Sequence, residues 1–492
     1  MNFLFRLWPA ITSVVYPLAA AMFGGIALAS ALAPHDIEGL AFVMFAPVLA
    51  VASKQRPLIA IGLGLLTGLS AGASYVGWHH DTQRLFWAYL PFLWVAVIMA
   101  ALCLLSSRLR GASPGAWMLA IATTAVAIEF ATTLAPLPIN IAVAVYKLWP
   151  LLALSSITGI WGASFVVWLC NAFVASVIVC GRFGQAHWKA VGASVVAVVV
   201  WYFLLLSMGT SRTHLVTVAA IQDFTGDETM SLTEPPKVPG DREAMSKAVA
   251  ATMDVSPFTV IVWSEECLGS SFHTDNPRDE TVKLVRKIGV PLVVGYNDDA
   301  KPKPHNLAAW LSPEGKILGV HRKEHLYLGE SETIQAGKGG EAFDTPWYKA
   351  GLEVCFDTNY TGVTREEVQK GAQIILVPNY DPPTPRGTLH YLHASLVPFR
   401  AAENSVPIVR CDSNGLSQVI DRMGNVVAQG PLYQPATVRG TVAISHPESR
   451  TYFTRFGDWF AWLCVLGAVG LVRRNTGRRP TPPTLRAGPS PS

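Results

Sequence analysis

The chain has 492 residues, of which 51% are hydrophobic and only 15% charged, whereas an ordinary soluble domain is about a quarter charged. This balance excludes a wholly soluble protein and predicts one that lies partly in a membrane. The net charge of +4 does not indicate nucleic-acid binding, because many basic residues lie in short loops between apolar runs. Residues 1–210 contain few acids, whereas residues 213–447 read like a soluble domain, so we expect two regions.

Eight apolar stretches approach the length of about 20 residues that a helix needs to cross a membrane. The second is the shortest, and further spans follow the first directly, so we do not expect a cleaved signal peptide. The predicted spans are 9–33, 37–52, 58–77, 87–106, 115–132, 151–181, 190–208 and 456–472.

Basic residues lie in alternate loops between these stretches, as the positive-inside rule requires of cytoplasmic loops. They include Lys54, Arg108 and Arg182, and Arg473 follows the last span. An N-terminus inside the cell places the soluble region on the outer face of the membrane. In a two-membrane bacterium the protein would be a multi-pass inner-membrane protein with a periplasmic domain. Residues 475–492 are rich in Pro, Arg and Ser and predict a disordered cytoplasmic tail.

Short β-rich runs alternate with polar or helical segments through residues 213–447, which predicts an α/β domain with hairpins. The expected strands are His214–Gln222, Thr259–Glu265, Pro291–Tyr296, Leu307–Leu311, Leu352–Phe356, Ile374–Pro378, Val406–Cys411 and Val438–Ser445. The last of the eight predicted spans, in the C-terminal segment 453–474, would follow the domain.

Three reactive side chains stand at or near strand ends of this domain. Glu265 ends one apolar run, Lys323 follows a strand-turn-strand, and Cys355 ends the run Leu352–Phe356. Taken singly, each has an ordinary interpretation: a solvent-facing carboxylate, a solvated lysine and a small buried cysteine. Together they supply a base, a cation and a thiol, the groups that nucleophilic acyl transfer needs.

Glu, Lys and Cys in this chain order form the constellation of the carbon–nitrogen hydrolase (nitrilase) superfamily. Nearly the whole chain resembles the apolipoprotein N-acyltransferase family within it. The residues that carry the resemblance read Trp263-Ser264-Glu265, Lys323-Glu324-His325-Leu326-Tyr327-Leu328-Gly329-Glu330, Cys355-Phe356-Asp357, Asn379, His393, Arg400-Ala401-Ala402-Glu403, Arg410, Asn414-Gly415 and Phe453-Thr454-Arg455-Phe456-Gly457-Asp458-Trp459.

The resemblance implies a helical transmembrane bundle of about eight spans carrying an α-β-β-α sandwich. It implies that Glu265 is the base, Lys323 the oxyanion-stabilising cation and Cys355 the nucleophile, supported by Glu330, Asp357 and Asn379. The implied reaction moves a fatty acyl chain from a phospholipid, through a Cys355 thioester, to the N-terminal amine of a diacylglyceryl-cysteine lipoprotein. We expect no cofactor, metal or nucleic-acid partner, and a monomer.

Several motifs depart from the family pattern. Serine replaces the proline of W-P-E, Asp357 replaces a longer glutamate, and Asn379-Tyr380-Asp381 replaces N-D-A-W. Only 24 residues separate Glu330 from Cys355, where the family carries a longer apolar lid. Two alternatives therefore stay open: a paralogue with another amine or amide substrate, such as a conjugal-transfer-associated protein, and a non-catalytic membrane scaffold.

Seven cysteines without paired spacing argue against a disulfide framework. Four of them lie in apolar runs, which leaves Cys267, Cys355 and Cys411 in the soluble domain. Although the periplasm is oxidising, we expect Cys355 to stay reduced, since a disulfide would remove the nucleophile.

Overall fold

The structure is a computed structural model of the full chain. The residues it describes are 2–77, 82–135, 137–207, 214–223, 239–251, 259–268, 272, 279–345, 347–382, 387–444 and 450–476. Most of the predicted C-terminal tail, 477–492, lies outside the described residues.

Apolar helices make up the N-terminal region. They are α1 (Asn2–Ala31), α2 (Ala46–Ala52), α3 (Pro57–Val76), α4 (Thr82–Arg108), α5 (Pro114–Thr132), α6 (Trp149–Thr158), α7 (Ile160–Cys180) and α8 (Gln185–Ser207). Among the described residues, parts of α1, α3, α4, α5 and α7 are long and apolar enough to cross a membrane. The transmembrane helical region is confirmed, whereas the count of eight spans stays a prediction.

The single helix predicted over 151–181 is instead two helices that meet at Gly159. Gly159 has a φ of +69°, which favours glycine, and a Cβ there would lie 2.7 Å from the Phe453 ring. The main-chain N–H of Ile160, the first residue of α7, donates to the Glu403 carboxylate at 2.7 Å. Hydropathy does not reveal this break, because both helices are apolar and a distant segment fixes the turn between them.

The second region alternates strands and helices. Its elements are β1 (Leu215–Gln222), α9 (Pro239–Ala250), β2 (Thr259–Val262), α10 (Glu280–Ile288), β3 (Leu292–Asn297), β4 (Asn306–Leu311), β5 (Ile317–Arg322), β6 (Ala342–Asp344), β7 (Lys349–Leu352), α11 (Thr361–Gln369), β8 (Ile374–Asn379), α12 (Thr388–Ala394), α13 (Val397–Asn404), β9 (Ile408–Asp412), β10 (Gln418–Ile420), β11 (Val426–Gln429) and β12 (Ala436–Ala443). Helices α14 (Tyr452–Phe456) and α15 (Trp459–Thr476) follow.

Two six-stranded sheets pack face to face, in the orders β12-β1-β2-β3-β4-β5 and β11-β10-β9-β8-β7-β6. Their shared core includes Val218 and Trp310 from the first sheet and Leu376 and Val409 from the second. Helices α9 and α10 cover the outside of the first sheet, and α11 and α13 cover that of the second. The predicted α-β-β-α sandwich is therefore confirmed.

The two regions are joined by buried contacts. Phe399 and Ala402 of α13 belong to the core of the helical bundle. The Asp458 carboxylate accepts from Trp161 Nε1 at 2.7 Å and from Thr361 Oγ1 at 3.1 Å. This docking sets one end of the sandwich directly against the helices, and the candidate site lies at that junction.

Candidate active site

Lys323 lies immediately after β5, and its side chain is fully buried between two carboxylates. Its Nζ is 2.9 Å from Glu265 Oε1 and 2.8 Å from Glu330 Oε1. Glu265 Oε1 also accepts from Asn306 Nδ2 at 2.6 Å, and Glu330 Oε2 accepts from the Tyr327 N–H at 2.9 Å. The structure thus brings the predicted base, the cation and the second acid together, and adds Asn306 to them.

Glu265 occupies a turn beyond β2, where β3 passes very close. A Cβ on Gly295 would lie 2.6 Å from the Glu265 Cα, so this approach requires glycine. Burial raises the pKa of the Glu265 carboxyl to about 7, although Lys323 acts in the opposite direction. Burial by itself would lower the pKa of Lys323. The negative charges of Glu265 and Glu330 outweigh this effect, so the pKa of Lys323 lies well above its ordinary value. A base that titrates near neutrality therefore sits against a permanent cation.

Cys355 does not end a strand, as the sequence predicted, because β7 already ends at Leu352. It is instead the first residue of a 3-10 helix, Cys355–Asn359, with a φ of +48°. This backbone conformation is uncommon for a residue other than glycine and is found at functional sites. Burial, followed by Glu265, raises the pKa of the thiol well above its ordinary value, so the resting group is a neutral thiol that needs a base.

The Cys355 Sγ donates to the main-chain oxygen of Tyr380 at 3.5 Å, and none of the seven cysteines, all of which are described, is in a disulfide. The 24 residues between Glu330 and Cys355 contain a 3-10 turn, Glu330–Glu332, and the β6–β7 hairpin at the edge of the second sheet. This stretch therefore belongs largely to the sandwich itself.

Asp357 lies behind Cys355, fully buried. Its carboxylate accepts from the N–H groups of Glu324 and His325 at 3.0 and 2.8 Å, and from His321 Nε2 and the Val354 N–H at 2.9 and 3.2 Å. Burial by itself would raise the pKa of Asp357, but these donors, His321 first, hold it well below its usual range. Asp357 contacts the Cys355 turn and the Lys323 loop at once.

Asn379, the last residue of β8, lies at the neighbouring strand end. Its main-chain oxygen accepts from the Glu265 N–H at 3.3 Å, and its side-chain amide donates to Asp412 at 2.9 Å. The contact is through the backbone, so Asn379 supports the position of Glu265 from the second sheet.

A buried polar cluster beside Cys355 joins residues that the sequence analysis named singly, in the motifs of His393, Arg410 and Asp381, without predicting that they meet. Cys355, Asp381 and His393 each offer an atom within 4.8 Å of the others. Asp381 also contacts Arg410, which is fully buried. The available signal was an acidic residue, Asp381, two residues after the apolar strand that ends at Asn379, at a position where the family motif differs.

A cavity of about 380 Å³ opens at Cys355 and extends between the helices of the N-terminal region. Its size falls within the range of about 300–1,000 Å³ typical of ligand sites. Most of the lining is apolar: Leu28, Leu32, Phe45, Phe92, Val95, Ile98, Ile139, Trp168, Tyr327, Leu328, Phe356, Leu389, Leu392 and Leu396. The reactive thiol thus faces a space that suits a hydrocarbon chain.

Two family models match the chain: "Apolipoprotein N-acyltransferase N-terminal domain" over residues 24–173 and "Carbon-nitrogen hydrolase" over residues 245–446. The chain is 28% identical to the apolipoprotein N-acyltransferase of Geobacter metallireducens, over 91% of this chain and 93% of that protein. The chain belongs to the apolipoprotein N-acyltransferase family.

Two further matches of this apolipoprotein N-acyltransferase family member cover a smaller part of the chain. Apolipoprotein N-acyltransferase 2 of Treponema denticola is 23% identical, over 65% of this chain and 69% of that protein. A crystal structure of a carbon–nitrogen hydrolase from Helicobacter pylori matches 47% of this chain and 90% of its own, with 20% identity and a TM-score of 0.37. The protein is thus a membrane-associated enzyme of the carbon–nitrogen hydrolase superfamily.

Proposed function

We propose that the protein transfers a fatty acyl chain from a phospholipid to the N-terminal amine of an S-diacylglyceryl-cysteine lipoprotein. The observation that carries this proposal is the apolar cavity that joins Cys355 to the helical bundle. A hydrolase of small soluble amides has no use for such a space, whereas an acyl chain gains about 0.8 kcal/mol for each methylene it buries. The named relatives favour the same substrates over the paralogue and scaffold alternatives.

In the first half-reaction, Glu265 takes the thiol proton and the Cys355 sulfur attacks the ester carbonyl carbon of the phospholipid. The Lys323 ammonium stabilises the oxyanion, together with a main-chain N–H beside Cys355. When the ester C–O bond breaks, Glu265 returns the proton to the leaving alcohol. The products are an acyl thioester on Cys355 and a lysophospholipid.

In the second half-reaction, the neutral amine of the acceptor attacks the thioester carbonyl, and the C–S bond breaks. One amine proton passes through Glu265 to the sulfur, which restores the resting thiol. The result is an amide on the lipoprotein, so the kinetics are of the two-step, ping-pong type. Phosphatidylethanolamine is the donor that the family resemblance implies.

The remaining assignments belong to the same proposal. Glu330, Asp357 and Asn379 act as positioning residues, since each holds Lys323, Cys355 or Glu265 in place. Residues 1–210 form the substrate cavity and the membrane anchor, residues 213–447 supply the chemistry, and residues 453–474 return the chain to the membrane. We place the protein in the inner membrane with the catalytic region in the periplasm, as the loop charges favour.

The test is intact-mass analysis of a diacylglyceryl lipoprotein incubated with the full-length protein and phosphatidylethanolamine. We expect the wild type to add one acyl chain and Cys355→Ala to add none. Cys411→Ala is the matched control, because Cys411 is a buried cysteine on β9, away from the cavity. If the folded wild type leaves the lipoprotein mass unchanged, the proposed function is overturned.

A further inference from the structure

The reaction leaves one proton unassigned. At neutral pH the acceptor carries an ammonium group, because an α-amine has a pKa of about 8. Only the neutral amine attacks a thioester, so one proton must leave before the attack and a second during it. Glu265 accepts the second proton, and its Oε1 already accepts hydrogen bonds from Lys323 and Asn306. Another group has to accept the first.

The cluster of Asp381 and His393 lies beside Cys355, on the side of the cavity. The His393 Nδ1 is 2.8 Å from Asp381 Oδ1. Both residues line the cavity together with Cys355. Three side chains of α12 line the cavity: Leu389, Leu392 and His393. His393 is the ionisable one of these three.

Charged neighbours keep Asp381 an anion. Burial alone would raise the pKa of Asp381, but His393 and Arg410 hold it well below its usual range. Arg410 also lies 2.9 Å from Asp412, whose pKa is raised by burial and by Asp381. Tyr327 and Cys355 also face Asp381, and their pKa values are raised by burial, so both are neutral. Another titratable neighbour, His390, has its pKa lowered by burial to about 4 and stays neutral. The cluster therefore presents a carboxylate and an imidazole to the cavity.

The surroundings of His393 accommodate the imidazole with or without an extra proton. Its Nε2 is 3.1 Å from Thr358 Oγ1, which is 2.9 Å from the main-chain oxygen of Cys355. With neutral imidazole whose Nδ1–H donates to Asp381, the Thr358 hydroxyl donates to Nε2. With imidazolium, Nε2–H donates to the hydroxyl, which then donates to the Cys355 oxygen. Rotation of one hydroxyl serves both states, and no heavy atom has to move.

We propose that Asp381 and His393 form the acceptor-amine subsite, in which the carboxylate binds a primary ammonium group and the imidazole takes its proton. The proton moves from nitrogen to His393, the freed lone pair attacks the Cys355 thioester, and His393 later releases the proton to solvent. This inference rests on the proposed function, because it concerns only the second half-reaction. His393 is a catalytic residue on this proposal, and Asp381 binds the substrate and orients the imidazole.

The test separates the two half-reactions in the full-length protein. The acyl-enzyme is formed from phosphatidylethanolamine and detected by intact mass, and a diacylglyceryl-cysteine peptide or hydroxylamine is then added. Hydroxylamine is already uncharged at neutral pH and needs no base to remove a first proton. The variants are His393→Gln and Asp381→Asn, with His187→Gln as control, because His187 lies on α8 against Ser176 and does not line the cavity.

We expect His393→Gln to slow transfer to the peptide amine about tenfold at pH 7, because with an amine pKa of about 8 only about a tenth of the acceptor is then already neutral. The loss should shrink as the pH rises past the amine pKa of about 8, and transfer to hydroxylamine should be unchanged. Asp381→Asn should raise the KM for the peptide. If His393→Gln slows transfer to the peptide amine and to hydroxylamine equally, or slows neither, the proposed subsite is wrong. A wild type that never forms a thioester would instead overturn the proposed function.

Discussion

The Asp357 carboxylate accepts a hydrogen bond from the main-chain N–H of His325 at 2.8 Å, across 32 residues of sequence. The same carboxylate accepts from the Val354 N–H, next to Cys355. A single side chain therefore fixes the distance between the loop that carries the cation and the turn that carries the nucleophile. Such fixed geometry matters, because a misplacement of about 1 Å can slow a reaction about 100-fold.

We therefore expect Asp357→Asn to slow formation of the Cys355 thioester about 10- to 100-fold, because the amide is neutral and its nitrogen cannot accept the N–H donors. The rate is measured by rapid mixing with phospholipid followed by intact mass. The control is Asp344→Asn, at an exposed position at the end of β6. A normal acylation rate in Asp357→Asn would show that catalysis does not need the hydrogen bonds of the Asp357 carboxylate to the His325 and Val354 N–H groups.

The pKa of about 7 for Glu265 predicts the pH dependence of acylation. A base must be ionised to accept the thiol proton, so the rate should fall about tenfold per pH unit below that pKa and level off above it. Glu265→Gln should abolish the reaction. Glu266→Gln is the matched control, since the Glu266 carboxylate accepts from Asn297 Nδ2, and its charge only adds to the raising of the Glu265 pKa. A rate that does not vary between mildly acid and neutral pH would contradict the assignment of Glu265 as base.

Lys323 should contribute to stability as well as to catalysis, because it separates two carboxylates. Lys323→Met leaves the buried Glu265 without its cation, which we expect to destabilise the fold by about 3 kcal/mol at a pH high enough to keep Glu265 ionised. Adding Glu265→Gln removes that charge and should restore much of the lost stability while activity stays absent. Thermal unfolding in detergent measures the first effect, and thioester formation the second. Equal stability of the single and double variants would argue against a charge effect.

The cavity predicts a dependence on acyl-chain length. Val95→Trp adds an indole to the cavity wall from α4, so long-chain donors should react more slowly than short-chain donors. Val97→Trp is the matched control, because Val97 lies on the same helix, is half exposed and does not line the cavity. The measurement is thioester formation with phospholipids of graded chain length. The same chain-length profile in both variants would place the acyl chain elsewhere.

The sequence by itself determined the helical region, the two-sheet domain and most strand positions. These features are local: apolar runs of span length, short β-rich runs and turns leave their pattern in consecutive residues. The strand-turn-strand that was predicted before Lys323 is one example, and the structure contains it as β4 and β5 joined by the turn Ser312–Gly315. The resemblance of the motifs that carry Glu265, Lys323 and Cys355 to one family likewise predicted a joint site, although Cys355 does not end a strand.

Tertiary structure alone decided the features that depend on distant segments. The break at Gly159 depends on Phe453 and Glu403, and the conformation of Cys355 on the 3-10 helix that follows β7. The cavity forms where Val95 and Leu392, almost 300 residues apart in the sequence, line one space. Packing of that kind leaves no period or motif in the sequence, because complementary shape and buried charge arise only when the two regions are docked.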